Sequence, residues 1–221
     1  DELKSPNALE ELPGHDLSRQ FHDPERSEQS GPGDRGQFVL DQLAEEHAVP
    51  IEELAGAVDH PHEFLQEMNA AYVSIFNLQE DFTFVTALYG VLDADRNLFT
   101  FANAGHPSPL LRQSGGGIHR LTHPSDRTWP ALGISPDPGY ESLSLSVRPG
   151  ERLLLFTDGI YEEENAAGEE FGLQGVAQSL SAHGEGSLTD LLQGMVTDVT
   201  DHVSGGRFAD DVCLLCAEIR G

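Results

Sequence analysis

Positive charge is scarce in this chain: 12 Lys and Arg stand against 38 Asp and Glu, for a formal net charge of -26 over 221 residues. A surface that acidic repels phosphate backbones and anionic lipid headgroups, which argues against nucleic acid and membranes as partners. Cysteine is nearly absent, so a disulfide scaffold is excluded. The two cysteines stand as Cys213-Leu214-Leu215-Cys216, a spacing that invites a metal or redox reading. A strand sends positions three apart to opposite faces, however, and no second Cys or His pair follows, so both read as strand residues. No apolar run approaches the roughly 20 residues of a membrane span, and the N-terminus lacks the basic and apolar regions of a signal peptide. The chain therefore reads as soluble and cytoplasmic. Neither a Gly-rich phosphate cradle nor an Arg cluster is present, which disfavours a hydrolase of nucleotides or sugar phosphates. Arg112, Arg120, Arg127 and Arg148 read as surface residues.

What is present divides unevenly. Residues 1–61 are acidic and rich in Pro, Gly, Ser and His, with Gly31-Pro32-Gly33-Asp34-Arg35-Gly36 as the least structured patch; they read as a tail or linker. Helical spacing over Phe38 to Ala48, and a short turn over Ile51 to Val58, are too brief to stand alone. From His62 the pattern tightens. Phe64, Leu65, Met68, Ala71, Tyr72 and Ile75 mark one face of an amphipathic helix that should pack on a sheet. Phe82 to Leu92 and Asn97 to Ala104 predict a hairpin around Asp93-Ala94-Asp95-Arg96-Asn97. Leu110-Leu111 and Ile118 to Leu121 flank a Ser114-Gly115-Gly116-Gly117 turn, and Glu141 to Val147 alternates leucines with serines, as expected of antiparallel sheet with one wet face. Helices are predicted over Phe171 to Ala182 and Leu188 to Val203, and a closing strand over Val212 to Ile219. This order implies an α+β fold.

The chemistry concentrates at two strand ends. Leu153-Leu154-Leu155-Phe156 runs into Thr157-Asp158-Gly159, and Asp210-Asp211 opens the last apolar strand. Either aspartate alone reads as a turn; together they flank strands hydrophobic enough to be central, where an unpaired charge is costly. Oxygen ligands held rigidly at such ends suit a hard cation such as Mg²⁺ or Mn²⁺. Gly159 permits a sharp bend and a close backbone approach. Glu162, Glu163 and Glu164 read as a solvated acidic loop, with Glu162 near enough to reach a metal-bound water. His106, in Asn103-Ala104-Gly105-His106-Pro107, is open to three readings: general acid, ligand or turn residue.

In series, Phe84-Val85-Thr86-Ala87-Leu88-Tyr89-Gly90-Val91-Leu92-Asp93, Asn103-Ala104-Gly105-His106-Pro107, Phe156-Thr157-Asp158-Gly159-Ile160-Tyr161-Glu162, Asn165, Gly168-Glu169-Glu170-Phe171-Gly172 and Asp210-Asp211 resemble the PPM-type serine/threonine phosphatases. They look like the bacterial branch typified by the sporulation stage II protein E phosphatase and the stress-response phosphatases of partner-switching pathways. The resemblance covers roughly residues 62–219. It implies an α-β-β-α sandwich of antiparallel sheets flanked by helices, two Mn²⁺ or Mg²⁺ ions, and in-line attack of water on phosphorus without a Ser or Cys nucleophile. It implies Asp158 and Asp210 as metal ligands and catalytic residues, with Gly159 and Asp211 beside them in the metal site. It further implies a phosphorylated anti-sigma-factor antagonist as substrate and an upstream sensor or receiver domain as regulator.

The chain departs from that family in lacking its Gly-Asp strand and its Asp-x-Ser-Gly-His-Gly segment; Gly14-His15-Asp16 and Gly33-Asp34-Arg35-Gly36 adjoin no apolar strand and are poor substitutes. Two carboxylates alone leave a divalent ion most of its water, so a weakened site is expected. Opening on Asp1-Glu2-Leu3 without Met, the chain reads as a C-terminal portion of a longer enzyme. Missing strands would leave sheet edges that favour dimerisation. The alternative is an inactive interaction module of the same fold.

Overall fold

The computed structural model describes residues 10–11, 57–76, 84–125, 127–203 and 208–220. The Phe38 to Ala48 helix, the Gly14-His15-Asp16 and Gly33-Asp34-Arg35-Gly36 segments and nearly all of the expected tail lie outside the described residues. In chain order the elements are β1 (Glu10–Glu11), α1 (Pro61–Phe76), β2 (Ala87–Asp93), β3 (Leu98–Ala104), β4 (Leu110–Arg112), β5 (Ile118–Arg120), β6 (Leu143–Ser146), β7 (Arg152–Phe156), a 3-10 turn over Asp158–Ile160, α2 (Gly172–His183), α3 (Leu188–His202) and β8 (Leu214–Glu218). They fall into two compact units, Asp1–His22 with Pro107–Pro124 and Val147–Gly221, and Asp23–His106 with Ser125–Ser146.

The second unit is one helix on a three-stranded antiparallel sheet of order β2-β3-β6. Pro61 suits the first helical position, where its missing N–H costs nothing, and Glu63 complements the positive end of the helix. The apolar stripe read from the sequence packs as expected: Leu65 and Tyr72, with Phe64 and Met68, close over Ala102, Ala104, Trp129, Leu132 and Tyr140. The β2–β3 hairpin turns at Asn97 with φ 52, a backbone state that Asn tolerates better than most residues. Its first strand starts later than the sequence predicts, because Val85 leaves the β3 ladder to bridge Leu132. Buried Asn69 is satisfied on both sides: its Nδ2 donates to the Ser135 carbonyl at 2.8 Å and its Oδ1 accepts from Gly133 N–H at 2.9 Å.

The first unit is a five-stranded antiparallel sheet, β1-β5-β4-β7-β8, carrying α2 and α3. Val176, Ala177 and Leu180 of α2 and Leu191, Met195 and Val199 of α3 bury against Leu110, Ile118, Leu154, Phe156 and Leu214 of the sheet. Ser187 caps α3 by accepting from Asp190 N–H at 3.1 Å. Asp198 joins the two helices, accepting from the Ser179 hydroxyl and lying 3.0 Å from His183 Nε2. The α+β architecture of antiparallel sheets and helices is as the sequence implies.

Two expectations are corrected. Arg112 is buried, not on the surface: β4 lies between β5 and β7, so its side chain crosses to the α2–α3 turn, where it pairs with Glu185 against Gly184. Arg120 is half-buried, while Arg127 and Arg148 are exposed. Among the described residues the last strand is also not central. Among the described residues β8 pairs with β7 alone, and Leu215 is 53 % exposed. No helix among the described residues is long and apolar enough to cross a membrane.

Burial pushes the Tyr140 phenol up to about 12, while its hydroxyl donates to the Pro130 carbonyl at 3.1 Å. Because the folded state favours the neutral phenol, this contribution is fully present below the ordinary value of 10.0 and is lost as pH rises through about 12. Denaturant midpoints should fall over that alkaline window. In Tyr140→Phe the fall should be shallower, with about 0.5–1.5 kcal/mol lost at neutral pH.

Candidate metal centre

The site is assembled by the pairing of β7 with β8, whose register ends at Phe156↔Leu214. Thr157 extends that pair beyond the strands. Its N–H donates to the Cys213 carbonyl at 3.1 Å, and its Oγ1 accepts from Cys213 N–H at 2.9 Å. The chain then tightens into the 3-10 turn, the Asp158 carbonyl accepting from Tyr161 and Glu162 N–H at 3.0 and 3.1 Å. On the opposite strand, Phe208 and Val212 pack on the core and leave Asp210 and Asp211 at the exposed tip between them.

Gly159 is where the two segments meet. A Cβ there would lie 2.6 Å from the Asp211 carbonyl oxygen and 3.6 Å from the Asp210 carbonyl carbon. Its φ is not among the positive values of the chain, so the glycine is needed for space and not for the bend the sequence suggested. Asp158, Gly159, Asp210 and Asp211 are thus brought together, with all three aspartates exposed. Asp158 and Asp210 are oriented alike, since each Oδ1 accepts the N–H of the following residue, at 3.1 Å from Gly159 and 2.7 Å from Asp211. The local field is negative: the Tyr161 phenol is raised by burial first, then by the Glu162, Asp158 and Glu170 carboxylates.

Two other sequence candidates resolve differently. Glu162 and Glu164 are exposed as expected, but Glu163 is 3 % exposed and its Oε1 accepts from Ala209 N–H at 2.7 Å. A run of three glutamates carries no periodicity that would single out the middle one, so no local pattern marks it. His106 lies in the other unit, where Asn103 grips both its backbone groups, each at 2.8 Å. That geometry supports the turn reading. Beside it, Gly105 takes φ 73 with Ala131 N only 3.0 Å from where a Cβ would stand. Cys213 is exposed and Cys216 half-buried, as residues of a strand edge.

The donors at the β7–β8 end are oxygen only, the chemistry of a hard cation, and the Asp211 backbone packs directly on Gly159, which keeps those donors close together. Among the described residues no three His, Cys, Asp or Glu side chains form a set that could hold a metal ion. These residues therefore fit one side of a cation site.

Helices on antiparallel sheets, with aspartates gathered at adjacent strand ends, define a PP2C-type phosphatase fold. The SiaA-PP2C domain of Pseudomonas aeruginosa shares it, with a TM-score of 0.65 over 83% of this chain and 70% of that one at 20% identity. Within that class the chain belongs to the Stage II sporulation protein E (SpoIIE) family, whose sequence profile matches residues 40–220. Protein IcfG of Synechocystis sp. is 30% identical over 132 residues, 60% of this chain and 20% of that protein. The phosphoserine phosphatase RsbP of Bacillus subtilis is 30% identical over 161 residues, 72% of this chain and 37% of that one. The chain spans well under half the length of these relatives.

Replacing Gly159 by Ala forces a methyl group against the Asp211 carbonyl. The substitution should cost roughly 1–3 kcal/mol and shift the amide resonances of Asp210 and Asp211 while leaving those of α1 in place, as an NMR amide spectrum would show.

Proposed function

We propose that this chain carries the phosphatase portion of a metal-dependent phosphoserine/phosphothreonine protein phosphatase. Membership of the SpoIIE family and the name of the RsbP relative support a phosphatase. The observation that carries the reading to particular residues is the β7–β8 pairing that lays Asp210–Asp211 over Asp158–Gly159. In this reading Asp158 and Asp210 are the principal ligands, with Asp211 the weaker one and the Gly159 carbonyl beside them. The remaining donors of a two-ion Mn²⁺ or Mg²⁺ site come from outside the described residues. Such ions supply, when bound, charge neutralisation at the phosphoryl group and activation of the attacking water. The chain's own part is to hold those oxygens: the Gly159 and Asp211 amides fix the two carboxylates, and Thr157 fixes the strand ends that bear them.

We take residues 62–221 as the catalytic portion and 1–61 as a linker to an upstream sensor or receiver module. The substrate in this reading is a phosphorylated anti-sigma-factor antagonist. A protein of net charge -26 meets its partners without nucleic acid or membrane.

The test is Mn²⁺-dependent hydrolysis of a phosphoserine peptide by this chain and by a form extended upstream. Asp158→Asn and Asp210→Asn should each lower the rate by about a hundredfold or more, because removing even an outer-shell partner of a metal costs about 10- to 100-fold. Full metal-dependent activity in Asp158→Asn would refute the assignment of that residue. Absence of both binding and hydrolysis in the two wild-type forms would leave an interaction module of the same fold.

A further inference from the structure

The Asp210–Asp211 tip is short, exposed and acidic, and segments of that kind do not hold one conformation unless something outside them does. On the C-terminal side the fastening is Thr157 on Cys213. On the N-terminal side it is Glu163. Glu163 is 3 % exposed, and a carboxylate on a residue so buried is tolerated only where donors meet it. Its Oε1 accepts from the N–H of Ala209, the residue immediately before Asp210, at 2.7 Å. Glu163 is itself immobilised, since its carbonyl accepts from Phe171 N–H at 2.8 Å at the foot of α2. The chain therefore runs from Asp158 through the 3-10 turn to Glu163, and Glu163 reaches back to the start of the segment that carries Asp210.

We infer that Glu163 is a positioning residue, whose buried carboxylate sets Asp210 and Asp211 against Asp158 by holding the Ala209 amide. A hydrogen bond to a carboxylate is stronger than one between neutral groups, and this one fastens the N-terminal end of the tip as Thr157 fastens its C-terminal end. Glu163 touches no reacting atom in this arrangement. Its effect on the site is transmitted through the backbone from Ala209 to Asp210. The consequence for hydrolysis rests on the phosphatase reading; the tether does not.

The experiment compares Glu163→Ala, Glu163→Gln and, as a control that removes one negative charge from the same loop, Glu164→Ala. Amide hydrogen exchange at Ala209 is measured by NMR on each intact chain, followed by Mn²⁺-induced broadening of the Asp158–Gly159 and Ala209–Asp211 amides. Loss of the carboxylate acceptor should speed exchange at Ala209 by about tenfold or more in Glu163→Ala. Glu163→Gln keeps an acceptor oxygen in place and should restore most of the protection, and Glu164→Ala should match wild type. In Glu163→Ala, broadening of Ala209–Asp211 should require more Mn²⁺ than broadening of Asp158–Gly159, whereas in wild type the two go together. Unchanged exchange at Ala209 in Glu163→Ala overturns the inference, as does a Gln variant no better than Ala. If Glu163→Ala fails to fold, a Gln variant with wild-type exchange supports the acceptor role and one with fast exchange overturns it. Normal Ala209 protection in this chain, with no Mn²⁺ binding and no hydrolysis in either this chain or the form extended upstream, would sink the phosphatase reading and leave the tether standing.

Discussion

The proposed site depends on the antiparallel pairing of β7 with β8. A strand that ends in a carboxylate and one that begins after a carboxylate are of no use to each other unless they are neighbours running in opposite directions, in the right register. The pairing of Phe156 with Leu214 supplies that register, and Thr157 carries it one residue further with its side chain in place of a ladder bond. Like charges brought this close repel, so the arrangement needs a source of stability elsewhere. It is found underneath: Phe156, Ile160 and Leu214 are buried in the cluster that α2 and α3 close, and Phe208 and Val212 dip into the same cluster on either side of the aspartates. Burial of large apolar side chains, at about 1.5–3 kcal/mol each, is enough to hold exposed carboxylates in a place they would otherwise leave.

The two units solve the same packing problem with different means. In the unit with α1, a buried amide does the locking: Asn69 holds the Gly133–Ser135 segment through both its donor and its acceptor. In the unit with α2 and α3, ionised groups do it. Arg152 grips Glu218 and the Gly184 carbonyl at 2.8 Å each, and Arg112 pairs with Glu185 at the same turn. In a chain with so few cations, two arginines are committed to one corner, each to a carboxylate partner.

Much of this was readable in advance, for reasons that differ from residue to residue. The α1 stripe of Phe64, Leu65, Met68 and Tyr72 was legible because helical periodicity and burial coincide there. The aspartates were legible because each interrupts an apolar run. Glu163 was not, because its burial comes from a contact with Ala209, far along the chain, that no local pattern encodes. Arg112 was missed for the converse reason: its charge marks it as a surface residue, and only the position of β4 between two strands takes it inside. The edge position of β8 among the described residues was missed because hydrophobic content reports how buried a strand's faces are, not how many neighbours its backbone has.

The order of the elements also governs how this site comes into being. Asp158 and Asp210 are separated in sequence by the whole of α2 and α3, so the β7–β8 pair is a long-range contact whose closure entropy is high if the intervening chain is unstructured. The Ser187 cap and the Asp198 clasp to Ser179 and His183 are local to the two helices and can form before any strand has paired. Once the helical hairpin exists, the span left to close between β7 and β8 is shorter, and the entropy cost of pairing them falls. The helical hairpin is therefore more than a cover for the sheet: it is the segment that brings the two carboxylates within closing distance of each other along the chain.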